Sequence, residues 1–154
     1  MWEPNRNKDV ESLFLNSNGQ PKDSSIYTRD IIAKTNFFGP LGPIDIYQSL
    51  VDLLSKEKTD GNISDFQTLP YDWRFLPSDI LSSGIKTDSY TVNLKNKIRE
   101  MAKNAPSGKV IIVAHSYGGL LAKSLMEDLE KEGEDSIIES IVLVSVPELS
   151  LIHI

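Results

Sequence analysis

The sequence predicts an α/β fold with a mainly parallel sheet and flanking helices, and three observations lead to it. Two short runs, Val110 to Ala114 and Ile137 to Val146, are rich in β-branched residues and largely apolar at successive positions, as strands buried under helices on both faces must be. Three other segments carry apolar residues at helical spacing. The two kinds of segment alternate along the chain, the order that right-handed βαβ units produce. A chain of 154 residues with 40% hydrophobic and 25% charged residues is an ordinary single domain, which excludes collagen-like and strongly disordered readings.

Residues 1–43 are rich in Asn, Ser, Asp, Gly and Pro and read as an irregular arm. Its one apolar island, Leu13-Phe14-Leu15, runs into the turn-forming Asn16-Ser17-Asn18-Gly19. Gly39, Pro40, Gly42 and Pro43 punctuate the chain before a periodic segment, so the core is expected over 44–154. Ile44, Tyr47, Leu50, Val51 and Leu54 then recur at helical spacing, predicting a helix over 44–57. Ile63 to Leu69 is a strand candidate stopped by Pro70, which cannot donate to a ladder.

An aromatic knot, Tyr71-Asp72-Trp73-Arg74-Phe75, follows. Alternation would set Tyr71, Trp73 and Phe75 along one edge of the core and let Asp72 and Arg74 pair at the surface. Leu94, Ile98, Met101 and Ala105 stack on one face of a helix predicted over 90–105, which Pro106-Ser107-Gly108 stops. The central strand Val110 to Ala114 leads to a helix over 120–132 ending at Gly133, and the last strand, 137–146, ends at Pro147.

Composition narrows the chemistry. Sixteen Lys and Arg against 22 Asp and Glu leave a net charge of −6, which repels phosphate backbones, so nucleic acid is not an expected partner. With no Cys and two His, neither thiolate nor all-imidazole zinc sites can form, and no metal or cofactor is called for. No apolar run approaches the ~20 residues that span a bilayer. The first residues lack the apolar stretch of a secretory signal, leaving the cytoplasm as the default expectation. An Asn-Ile-Ser sequon at Asn62 matters only in a glycosylating pathway.

Chemistry concentrates between the central strand and the helix after it. Ala114-His115-Ser116-Tyr117-Gly118-Gly119 follows the nucleophile-elbow pattern, small-x-Ser-x-Gly, with Ala in the first place. A serine on a sharp strand-to-helix turn is strained, and Ala114 and Gly118 are small enough to let strand and helix pass. The Ser116 hydroxyl would project beyond the strand ends, and the Tyr117 backbone N–H would face the oxyanion of a tetrahedral intermediate. The competing reading makes Ser116 a helix N-cap with the glycines as loop filler. A phosphate-binding loop does not fit, because neither Gly-x-Gly-x-x-Gly nor Gly-Lys-Ser/Thr is present. His115 should point opposite to its neighbours, into packed structure, as a packing or oxyanion-loop residue. His153, one residue from the end, reads as a tail residue with nothing to orient it as a base.

Pro70-Tyr71-Asp72-Trp73-Arg74 followed after a helix by Val113-Ala114-His115-Ser116-Tyr117-Gly118-Gly119-Leu120 resembles the lecithin:cholesterol acyltransferase-like branch of the α/β-hydrolases, in which both motifs occur in this order. The resemblance covers about residues 44–147. It implies a partial α/β-hydrolase fold, lipid or other acyl esters as substrates and Ser116 as the acylated nucleophile. In that family an oxyanion strand and loop precede the region corresponding to 1–43, and the triad Asp and His follow the region ending near Pro147. By this resemblance the chain is the middle of a hydrolase, weakly active alone; the alternative is a non-catalytic module keeping the elbow as architecture.

Two structural expectations follow. Without the strand that normally lies beside the nucleophile strand, either 63–69 or Leu13-Phe14-Leu15 must pair with 109–114, or that edge stays open. Three amphipathic helices cannot cover both faces of the sheet, so apolar surface should remain exposed and invite a complementing segment or protein.

Overall fold

The computed structural model describes residues 10–35 and 44–147. Its elements are β1 (Lys34–Thr35), β2 (Ile44–Asp45), α1 (Gln48–Thr59), α2 (Pro77–Ser83), β3 (Ile85–Lys86), β4 (Thr91–Val92), α3 (Leu94–Asn104), β5 (Val110–His115), α4 (Tyr117–Glu132) and β6 (Ile138–Val144), with a 3₁₀ turn, Asp135–Ile137, before β6. This is a mixed α/β chain with short sheets. Parallel pairing is confined to β5–β6; β1–β2 and β3–β4 are antiparallel two-residue ladders, so a wider, mainly parallel sheet is not what forms among the described residues.

The core lies on one side of the parallel pair. Leu121, Leu125 and Leu129 of α4, Ile98 and Ala102 of α3, Ile80 and Leu81 of α2 and Val110 and Ile138 of the strands are all buried, and Leu129 is fully enclosed. Spacing of four along α4 aligns its three leucines on the sheet. Gly133 (φ 73°) ends α4 in a left-handed turn, in which its N–H reaches the Glu130 carbonyl and the Glu134 N–H that of Leu129, the double bond of a Schellman cap. At the other end α4 begins three residues before the expected start, taking in Gly118 and Gly119. A Cβ at Gly119 would lie 2.2 Å from Val146 Cγ2, so only a glycine lets the helix pass this close to the chain leaving β6.

Register explains how β6 faces the core. Val110 pairs with Ile138 but Ile111 with Ser140, a bulge that makes Glu139 the extra residue. Beyond it Ile112 pairs with Ile141, so Ile138 and Ile141, three apart in sequence, both meet the core.

Several elements differ from expectation, each for a local reason. α1 starts at Gln48 rather than 44, because the backbone of Ile44–Asp45 is held in β2 and the Asp45 carboxylate accepts from the Ser49 N–H at 3.1 Å. None of its residues is buried. α3 starts at Leu94, because Thr91–Val92 belongs to the β3–β4 hairpin and the Asn93 side chain accepts from the Asn96 N–H at 3.0 Å, capping the helix. α2 was not anticipated, although Pro77 at its first turn is an ordinary start signal.

The expected strand 63–69 does not form. Residues 63 and 64 lie in bends and 65–69 have no regular structure, and within the segment Leu69 packs against the core by its side chain. Leu13-Phe14-Leu15 does not substitute either. The Asn16–Gly19 turn folds it back on its own chain, where Leu15 bridges Pro21. Among the described residues β5 therefore pairs with β6 alone. The 10–35 segment is nevertheless tied in: β1 pairs with β2 across the boundary expected at 43, the Thr28 N–H donates to the Lys86 carbonyl, and Arg74 Nη1 reaches the Leu13 carbonyl at 3.3 Å.

Candidate active site

β5 delivers its carboxyl end straight into α4, and Ser116 is the hinge between them. Its dihedrals, φ 53° and ψ −127°, lie where an L-residue seldom sits, a strain of order 1–3 kcal/mol that persists only when surrounding structure imposes it. Two bonds impose it here: the Ser116 N–H donates to the Val144 carbonyl at 2.9 Å, and the Ser116 carbonyl accepts from the Gly119 N–H at 3.0 Å. Ser116 stands at the N-cap position, yet its side chain makes no capping bond.

Tyr117 is the first residue of α4, so its N–H has no acceptor within the helix, and it stands at the positive end of a 16-residue dipole without an acidic residue in the first turn. An anion formed beside Ser116 would meet this field. Ala114 is buried beneath the turn. Gly118 lies under Tyr71, whose hydroxyl oxygen is 3.2 Å from where a Cβ would stand.

The structure brings the 70–75 segment onto the elbow. Tyr71 and Tyr117 rings lie 6.1 Å apart between centroids and tilted by 37°, and the Tyr117 hydroxyl donates to the Phe75 carbonyl at 3.0 Å. Burial raises the pKa of both phenols. For Tyr71 the neighbouring Tyr47 and Tyr117 add to the rise, and for Tyr117 the Asp79 charge does, so both hydroxyls keep their protons well above neutral pH.

Asp72 and Arg74 do pair, but not at the surface. The Arg74 side chain is only 5% exposed, donating from Nε at 2.8 Å and Nη2 at 2.6 Å to the two carboxylate oxygens, and the bond to Asp72 raises its already high pKa. The Phe75 N–H donates to the Asp72 carbonyl at 3.2 Å, closing a turn. That turn breaks the expected alternation: Tyr71 and Phe75 pack on the core, whereas Trp73 is 67% exposed. Pro70 is half-buried before them.

His115 does not enter packed structure. It points away from Ala114, as alternation requires, but that face of β5 is open, and His115 is exposed with its Nδ1 in a 2.6 Å hydrogen bond with the Tyr47 hydroxyl. The rings meet edge-on at 5.7 Å. His153 lies outside the described residues.

Three features escaped sequence reasoning. Tyr47 counted only as a helix-face residue, and nothing in the chain marks its pairing with a residue 68 positions away. The sequence points to the Tyr117 backbone N–H but carries no sign that its hydroxyl meets the Phe75 carbonyl. Ser145, which follows β6, has φ 50°, a second strained serine one strand away from the first and without a sequence signal. Among the described residues no group of acidic and imidazole side chains could hold a metal ion, and no helix is long and apolar enough to cross a membrane.

Compared with known proteins, residues 35–151 match the family model described as lecithin:cholesterol acyltransferase. No curated protein and no solved structure matches the chain.

Proposed function

The chain belongs to the lecithin:cholesterol acyltransferase family, and from that premise we propose that it acts on lipid or other acyl esters with Ser116 as nucleophile, within part of an α/β-hydrolase fold. The observation that carries the reading is the strained, uncapped Ser116 at the β5–α4 junction. Strain of this kind holds a hydroxyl clear of the strand ends, where a carbonyl carbon can reach it.

In the proposed reaction Ser116 Oγ adds to the ester carbonyl carbon, and the Tyr117 N–H and the α4 dipole receive the charge that develops on the carbonyl oxygen. The tetrahedral adduct collapses by breaking its bond to the alcohol, which leaves carrying the proton that Oγ gave up. Ser116 is left as an acyl ester. Water then releases the acid, or an acceptor hydroxyl takes the acyl group as a new ester, and either restores the Ser116 hydroxyl. A serine without an aligned base is a weak nucleophile, and His115, the imidazole next in sequence, stands exposed on the open face of β5 with its hydrogen bond to Tyr47 rather than to Ser116, so turnover by this chain alone should be slow.

That same bond favours a second reading, in which the elbow is retained as architecture and the chain has no catalysis of its own. A fluorophosphonate probe separates the two. Slow labelling confined to Ser116, with hydrolysis of p-nitrophenyl butyrate abolished by Ser116→Ala, is the expected result. A chain that takes no label, or whose esterase activity survives Ser116→Ala, would favour the architectural reading. Rapid stoichiometric labelling would instead reveal a working base, and His115 and His153 would be the residues to substitute.

A further inference from the structure

We propose that the Tyr117 side chain is a positioning residue, anchoring the elbow to the 72–75 turn so that the Tyr117 N–H holds its direction beside Ser116; this rests on the nucleophile reading above. The anchor has two parts on the structure: the hydroxyl bond to the Phe75 carbonyl at 3.0 Å and the tilted contact with the Tyr71 ring. What it is anchored to is itself firm. The turn is closed by the Phe75 N–H to the Asp72 carbonyl and braced by the bidentate Arg74–Asp72 pair, whose guanidinium is nearly enclosed and reaches the Leu13 carbonyl as well.

The need for an anchor follows from the backbone. Ser116 pulls against its dihedral preference, and the next residue is the first of α4, with no intrahelical bond on its N–H. Two glycines follow, adding no side chain to resist rotation. From Ser116 to Gly119 the side chain of Tyr117 is thus the one large group that grips a neighbouring segment. Burial, with the Asp79 charge, raises the pKa of this phenol, so it stays a hydrogen-bond donor at neutral pH. Gripping a residue by its side chain fixes its Cα, and with it the orientation of the peptide N–H on which an oxyanion would depend.

The test is Tyr117→Phe in the full chain, which keeps the ring on Tyr71 and removes the bond to Phe75. Amide exchange reads the elbow directly, because the Ser116 and Gly119 amides bond to Val144 and to Ser116 itself. Their exchange should quicken about tenfold, while the Leu125 and Leu129 amides, deep in α4, should not change. Labelling of Ser116 should slow by a similar factor, about tenfold, with kcat for p-nitrophenyl butyrate falling and KM unchanged. Unchanged elbow amides overturn the proposal, and so does a loosening shared by Leu125 and Leu129, which would make Tyr117 merely structural. If the unsubstituted chain takes no label while the elbow amides respond as expected, the nucleophile reading alone falls and the anchor stands.

Discussion

The two faces of the β5–β6 pair are built from the same kind of residue and meet opposite fates. Val110 and Ala114 are 9% and 6% exposed against α3 and α4, whereas Ile111 and Val113, one position along, are 60% and 50% exposed. Across the register Val142 and Val144 continue the open face beside Val113 and His115. Strand composition alone cannot separate these faces, since an isoleucine or valine suits either. What separates them is cover: α2, α3 and α4 lie on one side, whereas α1, whose Leu50 and Leu53 are exposed, has no buried residue of its own. Apolar surface does remain exposed on the strands, as expected, but only the structure shows which positions carry it.

The comparison breaks most sharply through truncation. Leu129→Ala on the covered side should cost about 2–5 kcal/mol in urea unfolding, as removal of a fully enclosed leucine does. Val113→Thr on the open side should stay within about 0.5 kcal/mol and raise solubility, because it trades one exposed β-branched side chain for a polar one. A penalty for Val113→Thr approaching that of Leu129→Ala would mean that the open face is covered in solution.

A smaller effect separates the two glycines at the start of α4. Gly119→Ala drives a methyl into Val146 and should cost about 1–3 kcal/mol, with Ser116 labelling lost, since the helix must back away from β6. Gly118→Ala meets the Tyr71 hydroxyl at 3.2 Å, the end of a side chain that can yield, and should cost less than about 1 kcal/mol by the same measurement. Equal costs would show that α4 is not held against the sheet as closely as the covered face requires.

The smallest effect sharpens the contrast between burial and charge. Where α3 and α4 meet solvent, Glu132 accepts from Lys95 at 2.7 Å and pairs with Arg99. The Lys95 hydrogen bond, opposed by desolvation and reinforced by the charges of Lys95 and Arg99, holds the Glu132 carboxyl below its usual range. A carboxyl depressed in the folded state stabilises fully above its unfolded pKa, and the contribution is lost as pH falls through the lower folded value. The melting temperature should therefore decline modestly below about pH 4.5, and the decline should shrink at high salt and in Glu132→Gln. A pH profile unchanged by Glu132→Gln would remove this pair from the account of how the helices are held.

The elements themselves were legible where periodicity was strong. Leucines four apart and Gly133 marked α4, β-branched runs marked β5 and β6, and helical spacing marked α3 from Leu94 onward. Boundaries slipped where backbone pairing competed, as when β2 and β4 claimed the first residues expected for α1 and α3. The junction Ala114-His115-Ser116-Tyr117-Gly118 could be read as strand, turn and helix because an apolar run leads into it and Ala114 and Gly118 are small at the two positions where strand and helix must pass. The direction of His115 could also be read, but not what it would meet.

By itself the sequence determined the α/β class, the strand-Ser-Gly-helix junction and the family, because each shows in short local patterns and in their order along the chain. Tertiary structure alone decided which face of β5 is covered, that 63–70 runs without a ladder, that the Arg74–Asp72 pair is half-buried, and that Tyr47 and Tyr117 reach His115 and Phe75. These outcomes depend on partners far away in sequence. Periodicity tells which side a residue points to; what waits on that side is set by the packing of distant segments.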